Sequence, residues 1–206
     1  PGLRVFAAFV AAYNLDTCLI DDIKFFTQTP LEDEIYCEQM DGFEEGGHLP
    51  DGRTKLVCRL KKGLEGLKQS GNNAQVQCVE HLVGPCQLTQ LDSEPTIFTR
   101  TFMINGVRVF FIMLVWIDDK WAGFSRGGYE AILVPFLKVY NRRFKSTNTM
   151  GDAKRFIGID LIRDRDARKI SLSQEKYIST FVPKFVDDVK SKLMLKTHAS
   201  PAVASR

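Results

Sequence analysis

The chain has no Cys-x-x-C pair, no internal repeat, no low-complexity tract and no apolar run long enough to cross a bilayer. Each absence removes a class of protein. Its five cysteines are odd in number, and a structural zinc module wants four ligands at recognisable spacing. Cys78, His81 and Cys86 lie close together but supply only three, so buried or free thiols in a reducing compartment are the plainer reading. The run from Val107 to Ile117 contains Arg108 and is too short for a membrane span. Val5 to Ala12 imitates the apolar part of a secretory signal but lacks a strong basic start and a cleavage context, and reads as a core helix. An initiator methionine is also lacking, from which a piece of a longer protein is expected.

Net charge is scarce too, at +3 over 206 residues, which is too little to announce a nucleic-acid binder by itself. Its distribution says more. Residues 1–137 hold 12 Lys and Arg against 18 Asp and Glu, while residues 138–206 hold 16 against 7. A basic surface beside an acidic site and a solvated helical face both fit that asymmetry. With 44% hydrophobic and 26% charged residues, the composition is that of one globular domain with a real core.

The most informative stretch is Met113 to Ala122, Met-Leu-Val-Trp-Ile-Asp-Asp-Lys-Trp-Ala. A β-forming apolar run drives into Asp118 and Asp119, and a weaker strand follows from Lys120 to Phe124, which predicts a hairpin with two acids at its tip. A solvated turn fits as well, because Asp suits turns chemically. A third acid weighs against it: the strand Asp16 to Ile23 carries Asp21-Asp22, and two-metal phosphoryl chemistry needs acids converging from separate strands.

Leu3 to Tyr13 reads as a helix, Leu31 to Glu38 as a short strand or connector, and Glu44 to Thr54 as a loop. Lys61 to Val83 reads as a helix broken near Ser70-Gly71 and ended by Gly84-Pro85. Asn105-Gly106, between Thr96–Ile104 and Val107–Ile117, is a strong hairpin signal, since both residues accept positive φ. Gly128 to Arg143 has helical spacing that Pro135 would kink or split. Phe156–Ile162 and Lys169–Leu172 read as a strand pair, and Ser173 opens a last helix. The order implies an α+β fold, a sheet backed by helices on one face.

In this order the motifs resemble the Ty1/copia-type reverse transcriptases. The matches are Leu19-Ile20-Asp21 with Phe26, Leu31 to Tyr36 with Gly42-Phe43, and Val57 to Lys62 with Gly66-Leu67-Lys68-Gln69. They continue through Asp92 to Phe98, Val115 to Asp119, Gly151-Asp152 with Phe156 to Ile159, and Leu172 to Ile178. The resemblance implies a palm over residues 1–190 with a ferredoxin-like antiparallel sheet and partial fingers, followed by a short tail at 191–206. It implies RNA-directed DNA polymerase activity with two Mg²⁺ (or Mn²⁺) ions, a primed RNA or DNA template and deoxynucleoside triphosphates as partners, no membrane, and an intracellular place, in cytoplasmic virus-like particles or the nucleus. Oligomeric state stays open.

By the same resemblance Asp21, Asp118 and Asp119 are the catalytic, metal-holding acids. Counting back from Tyr36 selects Asp21 over Asp22, and adjacent strand residues cannot both face one site. Phe26 falls where the family's aromatic ring excludes a ribose 2′-hydroxyl. Lys68 and Gln69 fall near the incoming nucleotide, although surface polar residues of a helix would look the same. Trp116, Phe156 and Gly158 fall on primer-contacting positions. Departures are visible: Trp116 stands for the family's tyrosine, Phe25 to Thr29 lose its glycine, Glu65 replaces the tyrosine of its Tyr-Gly-Leu-Lys-Gln, and its following Arg-Ala-Trp is absent. By the resemblance, the family's upstream fingers, connection and RNase H segments are expected to fall outside these 206 residues. A working palm fragment and a degenerate, non-catalytic remnant that binds nucleic acid nonspecifically at most are therefore both on the table.

Overall fold

The computed structural model describes residues 2–53 and 55–192, with side chains up to residue 186; the expected tail 191–206 lies almost wholly outside the described residues. Two units are distinguished. The first is Pro1–Ala153 with Arg163–Ile170; the second is Lys154–Ile162 with the chain from Ser171 onward.

The chain opens with α1 (Gly2–Ala12) and β1 (Asp16–Asp22), a 3₁₀ turn (Phe25–Gln28), and the hairpin β2 (Pro30–Glu38) and β3 (Val57–Lys62). Next come α2 (Lys68–Val83), β4 (Thr89–Leu91), β5 (Glu94–Ile104), β6 (Val107–Trp116) and β7 (Asp119–Phe124). A π-turn (Tyr129–Leu133) leads into α3 (Val134–Tyr140) and β8 (Ser146–Met150). The remaining elements are β9 (Arg155–Phe156), β10 (Ile159–Asp164), β11 (Lys169–Ser173) and α4 (Glu175–Lys192).

The main sheet has six strands in the order β4-β5-β6-β7-β1-β8, all pairs antiparallel. Strand alternation sorts its side chains onto two faces. Cys18, Ile20, Met113, Val115, Ala122 and Phe124 pack with Ala74, Cys78 and Leu82 of α2 and Phe136, Leu137 and Tyr140 of α3. On the other face Phe6 of α1 stacks on Trp121, ring centroids 4.9 Å apart. Val10 comes so close that a Cβ on Gly123 would lie 3.0 Å from its Cγ2. Helices thus cover both faces, whereas the sequence suggested one. The Ala-rich run of α1 is the reason: its small residues let a helix settle flat on the sheet.

Other differences have local causes. Lys61 and Lys62 are the end of a strand rather than the start of a helix, because the Pro30↔Lys62 pair ties them to β2, and α2 begins only at Lys68. Ser70 does not break α2; its Oγ accepts the Leu64 N–H at 3.0 Å and secures the helix start. The split expected at Pro135 is present: the π-turn Tyr129–Leu133 gives way to α3 at Val134, which puts Pro135 in the first turn of α3, where a proline is tolerated. Residues 156–162 are not one strand: Ile157 (φ 43) and Gly158 (φ 80) turn the chain between β9 and β10. The last helix starts at Glu175, whose N–H donates to Ser173 Oγ at 3.2 Å. The strand β8, all polar but for Met150, carries no apolar alternation, so only its backbone pairing with β1 reveals it. The Asn105-Gly106 hairpin forms as expected, with φ of 51 and 77.

One ion cluster ties the first unit together. Asp152 accepts from Arg163 at 2.7 Å and from Arg165 at 2.7 and 2.9 Å, and Arg163 also donates to Leu15 O at 2.7 Å. Partial burial pushes the Asp152 carboxyl up, but bonds and charge from both arginines outweigh it and hold it below the usual range. A lowered folded-state pKa adds stability above the unfolded value of about 3.9 and loses it as pH falls through the folded value. Asp152→Asn is therefore expected to flatten the acid limb of stability, read as urea midpoints between neutral and acid pH.

Candidate active site

The hairpin between β6 and β7 is closed by the pair Trp116↔Asp119, leaving Ile117 and Asp118 at the turn. Ile117 has φ 56, a left-handed conformation that costs a β-branched residue about 1–3 kcal/mol. Something must hold it there. Lys120, fully buried on the helix-packed α2/α3 face, donates from Nζ to Ile117 O and Asp118 O, each at 3.2 Å, and to Asp22 Oδ2 at 2.6 Å. Asp22 Oδ2 also accepts from Tyr140 OH at 2.7 Å, and the Asp22 N–H donates to Asp118 O at 3.1 Å. The acidic turn is thus clamped from beneath by a buried lysine. Burial pushes the Asp22 carboxyl up, with Lys120 and Tyr140 pulling it partly back. Burial likewise pushes the Tyr140 phenol up, so it stays protonated and gives its one hydrogen to Asp22.

Above the clamp the acids face the other way. Asp21 is register-paired with Asp119, and Trp116 with Asp119, so the three side chains share one face; directly opposed Cβ atoms lie about 4.5–5.5 Å apart. Asp22, one residue on, is buried in the core instead. The Asp119 carboxyl is pushed up by partial burial and then by Asp118 and Asp21, with Lys120 opposing. Among the described residues, none of the three acids takes part in a salt bridge or side-chain hydrogen bond. Nor do three His, Cys, Asp or Glu side chains there enclose a ready-made cation site. Hard carboxylate oxygens that repel one another and lack a cation nevertheless suit Mg²⁺, which takes one or two carboxylates and fills its shell with water and phosphate.

Of the other residues expected at the site, Phe26 is half-buried beside Phe25, and its Cε1 lies 3.9 Å from where a Cβ on Gly71 would stand. That brings it to the first turn of α2, where Lys68 and Gln69 are exposed. Trp116 is 52% exposed. Phe156 ends β9 and Gly158 sits in the turn after it, both in the second unit.

Sequence reasoning missed the clamp, although Lys120 at an inward position of β7 next to an Asp-Asp pair on the neighbouring strand was a usable sign. It also missed an open pocket of about 410 Å³ lined by Lys24, Lys62, Arg142 and Lys145. Gln28 stitches its floor, donating to Ile23 O and Lys145 O at 2.7 and 3.0 Å and accepting the Lys145 N–H at 2.6 Å. These cations are scattered in sequence: the β1–β8 pairing brings Lys24 near Lys145, and the β2–β3 hairpin adds Lys62.

The strained turn yields a direct expectation. Ile117→Gly relieves the left-handed strain and is expected to raise stability by about 1 kcal/mol, measured as a shift in the urea midpoint; an unchanged or lowered midpoint would mean that the isoleucine side chain contributes more than its backbone costs.

Comparison with known proteins adds to this geometry. Residues 2–193 match the family described as reverse transcriptase (RNA-dependent DNA polymerase). The chain is 30% identical over 185 residues to the retrovirus-related Pol polyprotein from transposon TNT 1-94 of Nicotiana tabacum, covering 89% of this chain and 13% of that protein. It is 29% identical over 152 residues to the Pol polyprotein from transposon RE2 of Arabidopsis thaliana, covering 74% of this chain and 9% of that protein. The chain thus spans a small fraction of the relatives it matches. No solved structure matches significantly.

Proposed function

Because the chain belongs to the reverse transcriptase (RNA-dependent DNA polymerase) family, in its copia-type branch, we propose that its six-stranded sheet is the polymerase palm and that it extends a primer on an RNA or DNA template. The observation that carries this reading is the Asp21↔Asp119 pairing beside Asp118, three carboxylates at the end of a sheet that, among the described residues, form no salt bridge. Asp21 and Asp118 would hold two divalent ions, with Asp119 more peripheral. Mg²⁺ or Mn²⁺ bound there supplies charge for the attacking hydroxyl and for the phosphates. The protein's own part is orientation: β1 and the clamped hairpin fix the acids, and Trp116 offers an exposed ring to the primer end. Phe26, backed by Gly71, presents a ring edge suited to excluding a 2′-hydroxyl, with Lys68 and Gln69 one turn away. In this reading the β2–β3 hairpin is a partial fingers element, Phe156 and Gly158 contact primer, and the protein acts inside the cell, in the cytoplasm or the nucleus.

Lys24, Lys62, Arg142 and Lys145 supply the cationic surface a triphosphate or departing pyrophosphate needs, starting three residues beyond Asp21. A charge-assisted contact is worth about 1.5–3 kcal/mol, so Lys24→Ala with Lys145→Ala is expected to raise the KM for deoxynucleotide at least about tenfold. The check is KM measured at low and high salt.

A second reading, a palm remnant without activity, draws on the acids' failure to enclose a cation site by themselves. Primer extension on an RNA template separates the two. Metal-dependent product supports the polymerase; a folded chain that makes none with either Mg²⁺ or Mn²⁺ sinks it and leaves the remnant.

A further inference from the structure

Five free cysteines divide sharply by position. Cys18, Cys78 and Cys86 are buried in the core, where desolvation pushes their thiols up, to about 11 for Cys18 and about 12 for Cys86. A buried thiol held protonated is a poor nucleophile. Cys37 and Cys58 are exposed. They are also directly opposite one another, register-paired across the antiparallel strands β2 and β3. Directly opposed residues point to the same face, with Cα atoms about 4.5 or 5.5 Å apart according to the hydrogen-bonding of the pair. Both separations lie within the roughly 4.4–6.8 Å range that a disulfide spans. The Cys37 Sγ already leans over its partner, donating to Cys58 O at 3.6 Å. The register is regular from Ile35↔Leu60 to Glu38↔Val57, so the irregularity nearer Pro30 does not displace the pair.

We propose that Cys37 and Cys58 form a surface dithiol site that reacts with a small-molecule disulfide, such as oxidised glutathione, and closes to an intramolecular disulfide across the hairpin. One thiolate attacks the glutathione disulfide, forming a mixed disulfide and expelling one glutathione thiolate. The facing thiolate then attacks the protein sulfur of that mixed disulfide, forming the Cys37–Cys58 bond and expelling the second glutathione. Two electrons pass from the cysteines to the glutathione disulfide, and the two thiol protons go to the two glutathiones. The strand pairing favours the second attack, because the resolving sulfur faces the first at every moment. The site does not depend on the polymerase reading and stands without it.

The test uses the whole chain, oxidised glutathione and intact-mass and peptide mass spectrometry under non-reducing conditions. The expected product has lost two hydrogens, carries no glutathione, yields a peptide linking Cys37 to Cys58, and retains the three buried thiols on denaturing titration. Cys37→Ser is expected to stop at one glutathione on Cys58, and Cys58→Ser at one on Cys37. Wild-type chain that accumulates glutathione on both cysteines, or links two chains through them, overturns the proposal. Because both side chains are exposed the serine variants keep the fold, and the wild-type result decides the matter without them.

Discussion

Asp22→Val lowers the unfolding free energy by about 3–5 kcal/mol, and Lys120→Met lowers it by a comparable amount, while the double replacement returns to within about 1 kcal/mol of wild type. The expectation follows from burial. Both side chains are fully removed from solvent and 2.6 Å apart. Removing Asp22 strands an ammonium among Phe25, Tyr140 and backbone carbonyls. Removing Lys120 leaves a carboxylate whose Oδ1 already lacks a partner and whose Oδ2 keeps only Tyr140. It then escapes by binding a proton. Replacing both with apolar residues of similar volume removes the charges together, which is why the losses do not add. Urea denaturation of the four proteins at neutral pH checks the cycle. A second readout separates stability from function: the double variant has no Nζ on the Ile117 and Asp118 carbonyls, so its hairpin is expected to bind Mn²⁺ more weakly although its stability is restored. A double variant as unstable as either single one would show that the network specifies the packing here, beyond balancing charge.

On the proposed polymerase reading, Asp118→Asn is expected to lower metal-dependent extension at least about 10²–10³-fold, the cost of losing one electrostatic contact to the transition state, with no loss of stability. Two facts carry the second half. Asp118 takes part in no salt bridge or side-chain hydrogen bond among the described residues, and its charge is one of those pushing the Asp119 carboxyl up. A raised folded-state carboxyl pKa means that metal-free stability is fully present below the unfolded value of about 3.9 and falls as pH rises through the folded value. Neutralising Asp118 brings Asp119 back toward its usual range and weakens that loss. Divalent cation acts in the same direction on the wild type, by binding the carboxylates that repel. Unfolding midpoints from pH 4 to 7, with and without Mn²⁺, therefore distinguish the two proteins. An Asp118→Asn chain that responds to Mn²⁺ as fully as wild type would remove Asp118 from the metal-holding set.

How much of this was readable in one dimension depended on whether a feature is local. Asn105-Gly106 needs only its own φ preferences to make a hairpin, and that turn was legible. So was the apolar run ending in Asp118-Asp119, and the parity that separates Asp21 from Asp22. Lys61 and Lys62 looked helical because their residue types are, and became strand only through β2, where Pro30 pairs with Lys62. Residues 146–150 carry no pattern at all, and are a strand because β1 presents a free edge to them.

The sequence by itself determined the α+β class, the motif order that marks a reverse transcriptase, and which acids lie on strand ends, because residue type, spacing and alternation act within a few neighbours. Only the tertiary structure decided that Lys120 from one strand, Asp22 from another and Tyr140 from a helix meet beneath those acids, that four scattered cations line one pocket, and that Cys37 faces Cys58. Asp22 is 98 residues from Lys120 and 118 from Tyr140, and Cys37 is 21 from Cys58; such meetings are fixed by sheet order and register, which a period-two or period-3.6 pattern does not encode.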